Sequence, residues 1–180
     1  MDITFTQWIN GLAGSNMALD NFMIIVGKYG VPVLVALVIS QWWFGEPRPQ
    51  TRHACVAAAA SFVLGLGLAQ IMLLFIHRDR PYDAGISHLI IDKTVDWSFP
   101  SDHAIASTSI VFAWAMNGMR RGLWMFVGLA VLICFSRVYV GMHYVSDIIG
   151  GMAVALFAVW VVNLVYKPDT KLDRWLVSIF

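Results

Sequence analysis

Apolar residues fill most of this chain in five long blocks, and polar residues are concentrated in the short connections between them. A helix needs about 20 mostly apolar residues to cross a bilayer. The blocks therefore predict five spanning helices, near residues 19–45, 53–77, 102–118, 122–140 and 143–166. The second block, with the run AAAASFVLGLGLAQIMLLF, shows none of the period-two alternation of a transmembrane β-strand. We expect a single all-α domain over residues 1–180, a polytopic transmembrane helix bundle.

Two further patterns refine this bundle. Segments 1–14 and 168–180 mix Trp8 or Trp175 with polar residues, which is typical of helices that lie in the membrane interface. A pair of glycines at residues 150–151 in the fifth block favours close packing against a neighbouring helix.

Composition and charge exclude several classes of protein. Hydrophobic residues make up 59% of the chain and charged residues 13%, whereas a soluble domain carries roughly 25% charge. Water-soluble and disordered proteins are thereby excluded. The net charge of +1 gives no electrostatic footprint for nucleic acid. Cys55 and Cys134 lie inside apolar runs, where they are expected to pack as small hydrophobic residues.

Lysine and arginine are distributed unequally between the two sides of the predicted bundle. One side has seven: Arg48, Arg52, Arg120, Arg121, Lys167, Lys171 and Arg174. The other has four, Arg78, Arg80, Lys93 and Arg137, and the twelfth cation, Lys28, falls within the first span. By the positive-inside rule the C-terminal tail is cytoplasmic and the 78–100 loop faces the exterior or periplasm.

Polar residues gather at one end of the predicted helices in three groups. These are residues 77–81 (HRDRP), residues 98–103 (SFPSDH), and a set between residues 136 and 147 that includes His143 and Asp147. Because consecutive spans alternate in direction, all three groups belong to the same face of the bundle. Ionisable residues near the membrane are costly, so their collection on one face favours a functional site.

Each group has a chemical interpretation. Ser101 or Asp102 can cap a helix, and the free N–H groups of that first turn bind anions. On a helix His143 and Asp147, four residues apart, share a face, so the carboxylate can orient the imidazole. A histidine held in this way serves as a nucleophile or as the base that activates one.

Charge stabilisation comes from two permanent cations. Arg80 and Arg137 are planar groups suited to phosphate oxygens. Together with His103, His143 and a helix N-terminus they predict a phosphoryl-transfer site built from protein groups. No acidic or cysteine ligand set has the spacing of a zinc site, so we expect no metal and no cofactor.

Structural roles are the alternative for each of these residues. A single arginine at a membrane border is commonly an interfacial anchor. His103 or His143 alone could be a hydrogen-bonded residue at a helix end, and Asp102 an N-cap. Three histidines have no comparable partners in the sequence and are expected at the surface or interface: His53, His77 and His88.

The same residues resemble the motifs of the type 2 phosphatidic-acid phosphatase superfamily of membrane lipid phosphatases. That family carries K-x6-R-P, P-S-G-H and S-R-x5-H-x3-D. The third motif is complete from Ser136 to Asp147, and the second reads PSDH, with Asp102 in place of glycine. The first is partial, because Arg80 and Pro81 are present but Leu73 replaces the lysine.

The resemblance implies a role for each matched residue. His143 would form a phosphohistidine, Asp147 would orient it, and His103 would protonate the leaving group and then activate water. The phosphate would be held by Arg80, Arg137, Ser101 and the backbone near Asp102, without a metal. Arg78, the nearest spare cation to the missing lysine, is expected to reach a diphosphate. The alternative is that Arg78 anchors to lipid headgroups or pairs with Asp79 or Asp83.

Within the superfamily the stretches SFPSDHA and FSRVYVGMHYVSDIIGG, in a short chain with a compact 78–100 loop, look most like bacterial undecaprenyl-diphosphate phosphatases associated with bacitracin resistance. This implies an isoprenyl diphosphate substrate, with membrane lipids as the surroundings, at the outer face of a bacterial inner membrane. Phosphatidylglycerophosphate, phosphatidate or lipid A phosphatases and lipid phosphotransferases of the same fold remain open. A small channel or transporter is the non-enzyme alternative, and it predicts ionisable residues deep in several spans.

Overall fold

Seven helices and no strand are found in the computed structural model, which describes residues 1–45 and 47–179. Their bounds are α1 (Asp2–Asn10), α2 (Met17–Phe44), α3 (Arg48–Leu73), α4 (Asp102–Met116), α5 (Leu123–Tyr139), α6 (Val145–Val165) and α7 (Lys171–Val177). The prediction of an all-α transmembrane bundle is confirmed.

Three helices are long and apolar enough to cross a membrane: α2, α3 and α6. The other two predicted blocks form the shorter helices α5, with 17 residues, and α4, with 15. At 1.5 Å per residue α4 is roughly 22 Å long. It packs against α3, α5 and α6, and most of its side chains are buried. The shortest of the five therefore lies at the centre of the bundle.

Small residues let α6 approach the beginning of α4, as the glycine pair predicted. A Cβ atom added at Gly151 would lie 2.7 Å from the carbonyl oxygen of Ser101 and 2.8 Å from Cβ of Ala104. At Gly150 the added atom would overlap the ring of Phe99. The pair thus fixes the position of the SFPSDH segment against α6.

Helix α1 is amphipathic with its polar stripe turned toward the protein. Thr6 and Asn10 are buried, whereas Phe5 and Trp8 are 55% and 71% exposed. The amide of Asn10 donates to the carbonyl oxygen of Tyr139 at 2.8 Å. This arrangement suits a helix whose apolar side rests in the membrane interface while its polar side holds the bundle.

Two sequence predictions about α3 are wrong. The helix ends at Leu73 instead of residue 77, because its last turn tightens as the Phe75 amide bonds to Met72 and the chain then leaves for the 78–81 segment. His53 is buried instead of interfacial: its Nδ1 lies 2.7 Å from Oδ1 of Asp173. Its ring stacks on Tyr166, so this cluster joins α7 to α3.

Candidate active site

The three polar groups of the sequence meet around a cavity of about 120 Å³. Its lining consists of Leu73, Arg80, Thr94, Asp96, Trp97, Pro100, Asp102, His103, Arg137 and His143. The segment after α3, the beginning of α4, the end of α5 and the turn before α6 each contribute. Residues up to 70 positions apart are thus brought together at one end of the bundle.

His143 lies in the turn between α5 and α6 and is held by the chain on one side of its ring. Its Nδ1 is 2.9 Å from the carbonyl oxygen of Ser98. A carbonyl only accepts, so Nδ1 carries the proton and Nε2 keeps its lone pair. This Nε2 is 3.4 Å from Nη1 of Arg80. Burial lowers the pKa of His143 to about 4. The positive charges of Arg80 and Arg137 act in the same direction, and Asp147 opposes them.

Asp147 is fully buried behind His143 and accepts several hydrogen bonds. Its Oδ2 accepts from Oγ of Ser98 at 2.5 Å and from the amide of Tyr144 at 2.8 Å. The distance from Oδ2 to Nδ1 of His143 is 3.5 Å, longer than the Ser98 contact. The expectation that the pair shares a helical face is not met, because α6 begins at Val145, after His143. Ser98, which contacts both groups, links the carboxylate to the ring.

Arg80 is buried and held in a single pose. Its Nη1 donates to the carbonyl oxygen of Met142 at 2.9 Å, and its Nε donates to that of Asp96 at 3.0 Å. Nη2 forms an ion pair with Oδ1 of Asp96, also at 3.0 Å. Burial raises the pKa of Asp96, but hydrogen bonds from Thr94 and Arg80 and the charge of Arg80 bring it below its usual value. The guanidinium is therefore fixed beside His143 before any substrate binds.

Two buried donors near the cavity have no hydrogen-bond partner within residues 1–45 and 47–179: Nε of Arg137 and Oγ of Ser101. Buried polar groups in proteins are normally paired. Ser101 is the N-cap residue of α4, but its side chain makes no capping bond, so the amides of the first turn also lack a side-chain acceptor. Donors of this kind are suited to the oxygens of an anion. In the same ranges no three His, Cys, Asp or Glu side chains are placed to hold a metal ion.

Arg78 does not line this cavity. Its Nη1 donates to Oδ1 of Asp147 at 2.7 Å and to Oγ of Ser146 at 2.6 Å. Its Nη2 donates to Oδ2 of Asp2 at 2.7 Å, and the guanidinium lies 3.8 Å from the centroid of the Tyr144 ring. Arg78 thus binds the carboxylate behind His143, and these contacts favour a positioning role over the expected contact with a phosphate.

Helix α2 also contributes to the site, which the sequence did not indicate. The carbonyl oxygen of Gly27 accepts a 3.2 Å hydrogen bond from Nη1 of Arg137. A second cavity, of about 640 Å³, adjoins the first: it is lined by Ile24, Gly27, Lys28, residues 89–92, Thr94, His103, Arg137 and Met142. The signal available in the sequence was Lys28, a single charge within the first apolar block.

Similarity to known proteins agrees with this geometry. The family model of the PAP2 superfamily matches residues 22–171. The undecaprenyl-diphosphatase BcrC of Bacillus subtilis is 31% identical over 156 residues, which cover 87% of this chain and 79% of that protein.

Two solved structures share the fold. The crystal structure of Aquifex aeolicus LpxE superposes with a TM-score of 0.70 at 20% identity, covering 91% of this chain and 94% of that one. The crystal structure of a transmembrane PAP2-type phosphatidylglycerolphosphate phosphatase from Bacillus subtilis superposes with a TM-score of 0.65 at 18% identity. The superposition covers 93% of this chain and 87% of that one. Since the family model spans most of the sequence, this chain belongs to the PAP2 superfamily of membrane lipid phosphatases.

Proposed function

We propose that this protein removes the terminal phosphate of an isoprenyl diphosphate, with undecaprenyl diphosphate as its substrate and a phosphohistidine on His143 as the intermediate. The observation that carries the proposal is the unprotonated nitrogen of His143, Nε2, which accepts a long hydrogen bond from Arg80 and belongs to the cavity that Arg137 and His103 also line. The identity to an undecaprenyl-diphosphatase supports the choice of lipid.

In the first step Nε2 of His143 attacks the terminal phosphorus. The bond from phosphorus to the bridging oxygen breaks, and the oxygen leaves with the electron pair as isoprenyl monophosphate, to which His103 gives a proton. Positive charge develops on the phosphorylated imidazole. The carbonyl of Ser98 and the carboxylate of Asp147 stabilise this charge at Nδ1.

In the second step His103, now neutral, takes a proton from water. The resulting hydroxide attacks phosphorus, the P–N bond breaks, and inorganic phosphate leaves as His143 regains its lone pair. Arg80, Arg137, Ser101 and the amides near Asp102 offset the charge on the phosphoryl oxygens in both steps. This role for fixed donors agrees with their burial before substrate binds.

The distribution of lysine and arginine supports a location for the reaction. Seven of the twelve cations belong to the end of the bundle opposite the cavity. The cavity would then face the periplasm or exterior of a bacterial inner membrane, with α7 on the cytoplasmic side. Hydrolysis there would return an exported carrier lipid to cell-wall synthesis.

The test is phosphate release by the purified protein in detergent from a panel of lipids. The panel contains undecaprenyl diphosphate, farnesyl diphosphate, phosphatidylglycerophosphate, phosphatidate and lipid A, with the His143→Ala variant as the matched blank. We expect the highest kcat/KM for the isoprenyl diphosphates. A higher value for a phospholipid or for lipid A would replace the proposed substrate, and no release from any lipid would overturn the enzymatic function.

A further inference from the structure

Lys28 is a charged residue near the middle of the 28-residue helix α2. The cost of a charge within a spanning helix is several kcal/mol, on the order of 2.5–3.5 even on scales that include local adaptation. Such residues normally pair with another charge or face a water-filled cavity. At this position we therefore expect Lys28 to pair with an anionic group or to face a water-filled cavity.

The protein supplies no ionic partner among the residues that the structure describes. No hydrogen bond or ion pair is formed by Nζ of Lys28 there, and its nearest ring contact is with Tyr29, at 5.9 Å from the centroid. The other lysine on the same side, Lys93, has its charge paired with Asp83. Lys28 thus brings a cation that has no ion pair within the described residues to a cavity whose lining also includes the carboxylate of Asp92.

That cavity continues the one that contains His143. Thr94, His103 and Arg137 line both, so the two spaces meet along the wall that these residues form. His143 belongs to the smaller space and Lys28 to the larger. A molecule that extends from His143 past His103 therefore enters the space beside Lys28.

We infer that Lys28 binds the lipid-proximal phosphate of a diphosphate substrate and selects diphosphates over monophosphates. The inference rests on the proposed attack by His143. When the terminal phosphorus is at His143 and the bridging oxygen is at His103, the second phosphate lies beyond His103, in the space with Lys28. After the P–O bond breaks, this group is the leaving phosphate, and the ammonium offsets its negative charge.

The local charge distribution favours this assignment. The smaller cavity has Arg80 and Arg137 for the terminal phosphate, and Leu73 adds an apolar wall there. The larger one contains Lys28 as a further cation from a different helix, and also the carboxylate of Asp92, which forms no ion pair with Lys28. A lipid monophosphate releases an uncharged alcohol, so nothing anionic then lies beside Lys28. Lys28 should consequently contribute to the hydrolysis of diphosphates and leave the hydrolysis of monophosphates unchanged.

The first arm of the test compares two substrates with the same tail, farnesyl diphosphate and farnesyl monophosphate. We expect Lys28→Met to lower kcat/KM for the diphosphate at least tenfold and to leave that for the monophosphate within about twofold. Lys28→Arg should retain most diphosphate turnover. Lys167→Met, the same change at an exposed position between α6 and α7, is the control and should alter neither. Equal effects on both substrates, or none, would make Lys28 an interfacial anchor.

The second arm uses two inhibitors: methylenediphosphonate, a diphosphate analogue that cannot be hydrolysed, and inorganic phosphate. Each is tested against the hydrolysis of whichever lipid the wild type cleaves. We expect Lys28→Met to raise the inhibition constant of methylenediphosphonate at least tenfold and that of phosphate by less than twofold. Unchanged inhibition by methylenediphosphonate would overturn the inference even if isoprenyl diphosphates are substrates. If the wild type cleaves only other lipids, the proposed function fails, while this arm still decides the role of Lys28.

Discussion

Nη1 of Arg78 and Oδ1 of Asp147 are joined by a 2.7 Å ion pair although the residues are 69 positions apart. The same guanidinium binds Asp2 at the beginning of α1. Arg78 therefore connects α1, the segment after α3 and the first turn of α6 at the carboxylate behind His143. We therefore propose that Arg78 acts as a positioning residue, through Asp147 and without direct contact with a phosphate.

A variant without this cation should be impaired on every substrate. We expect Arg78→Ala to lower kcat about tenfold or more, ~1.4 kcal/mol in barrier height, because Asp147 loses a charged donor and His143 loses its fixed orientation. The loss should be equal for farnesyl diphosphate and farnesyl monophosphate, measured by phosphate release. A loss confined to the diphosphate would return Arg78 to direct phosphate binding.

The covalent intermediate has a direct test. Wild-type protein incubated with substrate labelled at the terminal phosphate should carry label that is stable in alkali and lost in acid. His143→Ala should show neither label nor turnover, because the attacking nitrogen is gone. His103→Ala should lose at least about a hundredfold in turnover, the lower range for acid–base catalysis. Substantial turnover by His143→Ala would exclude the phosphohistidine mechanism.

The depressed pKa of His143 predicts the acid limit of activity. Nε2 attacks only when the ring is neutral, and burial lowers the pKa of this ring to about 4 from its usual 6.5. Lowering the pH from 7 to 5 should therefore leave most of the nucleophile active, and activity should fall as the pH drops through about 4. The check is the acid limb of kcat/KM after correction for substrate ionisation. An enzyme-derived limb near 6.5 would show that the ring titrates as if exposed.

Sequence reasoning placed the helices well because long apolar blocks determine spans almost independently of their partners. The alternation of direction then sufficed to bring His103, His143 and Arg137 to one face. The errors concern contacts that depend on packing. The pairing of Arg78 with Asp2 and Asp147 joins positions about 70 residues apart. No local spacing encodes such a contact.

The burial of His53 against Asp173 and the approach of α2 to Arg137 were missed for the same reason. In both cases a residue in an early helix meets one more than a hundred positions later. Hydropathy gives the ends of each span, but which faces of two helices meet depends on small residues such as Gly27 and on the tertiary fold.

Glycine at the contact between α4 and α6 provides a stability test. Gly151→Ala should destabilise the protein by about 1–3 kcal/mol, because the new methyl group meets the Ser101 carbonyl and Ala104 and displaces the beginning of α4. Phosphatase activity should fall with it. Gly67→Ala in α3 is the matched control, since a Cβ there meets nothing within 4 Å, and it should be neutral or stabilising by about 0.5–1 kcal/mol. Thermal unfolding in detergent measures both, and equal effects would contradict the close packing.

Sidedness can be measured in intact cells with an impermeant thiol reagent. Cys55 and Cys134 are buried and free, so they are first replaced by alanine. Val95→Cys, on the loop beside the cavity, should then be labelled, whereas Lys171→Cys at the beginning of α7 should be labelled only after the cells are opened. The reverse pattern would place hydrolysis in the cytoplasm and contradict a role in recycling an exported lipid.

The larger cavity is lined in part by Ile24, Gly27 and Lys28 of α2, and the neighbouring apolar side chains Phe22 and Ile25 are 48% and 56% exposed. If the proposed isoprenyl diphosphate keeps its tail in the bilayer, it would reach this cavity by lateral diffusion in two dimensions. The concentration that governs turnover is then the mole fraction of substrate in the lipid or micelle surface, not its amount per litre. Adding inert detergent at constant total substrate should slow the reaction by surface dilution. Rates measured in different micelles become comparable once they are plotted against that mole fraction.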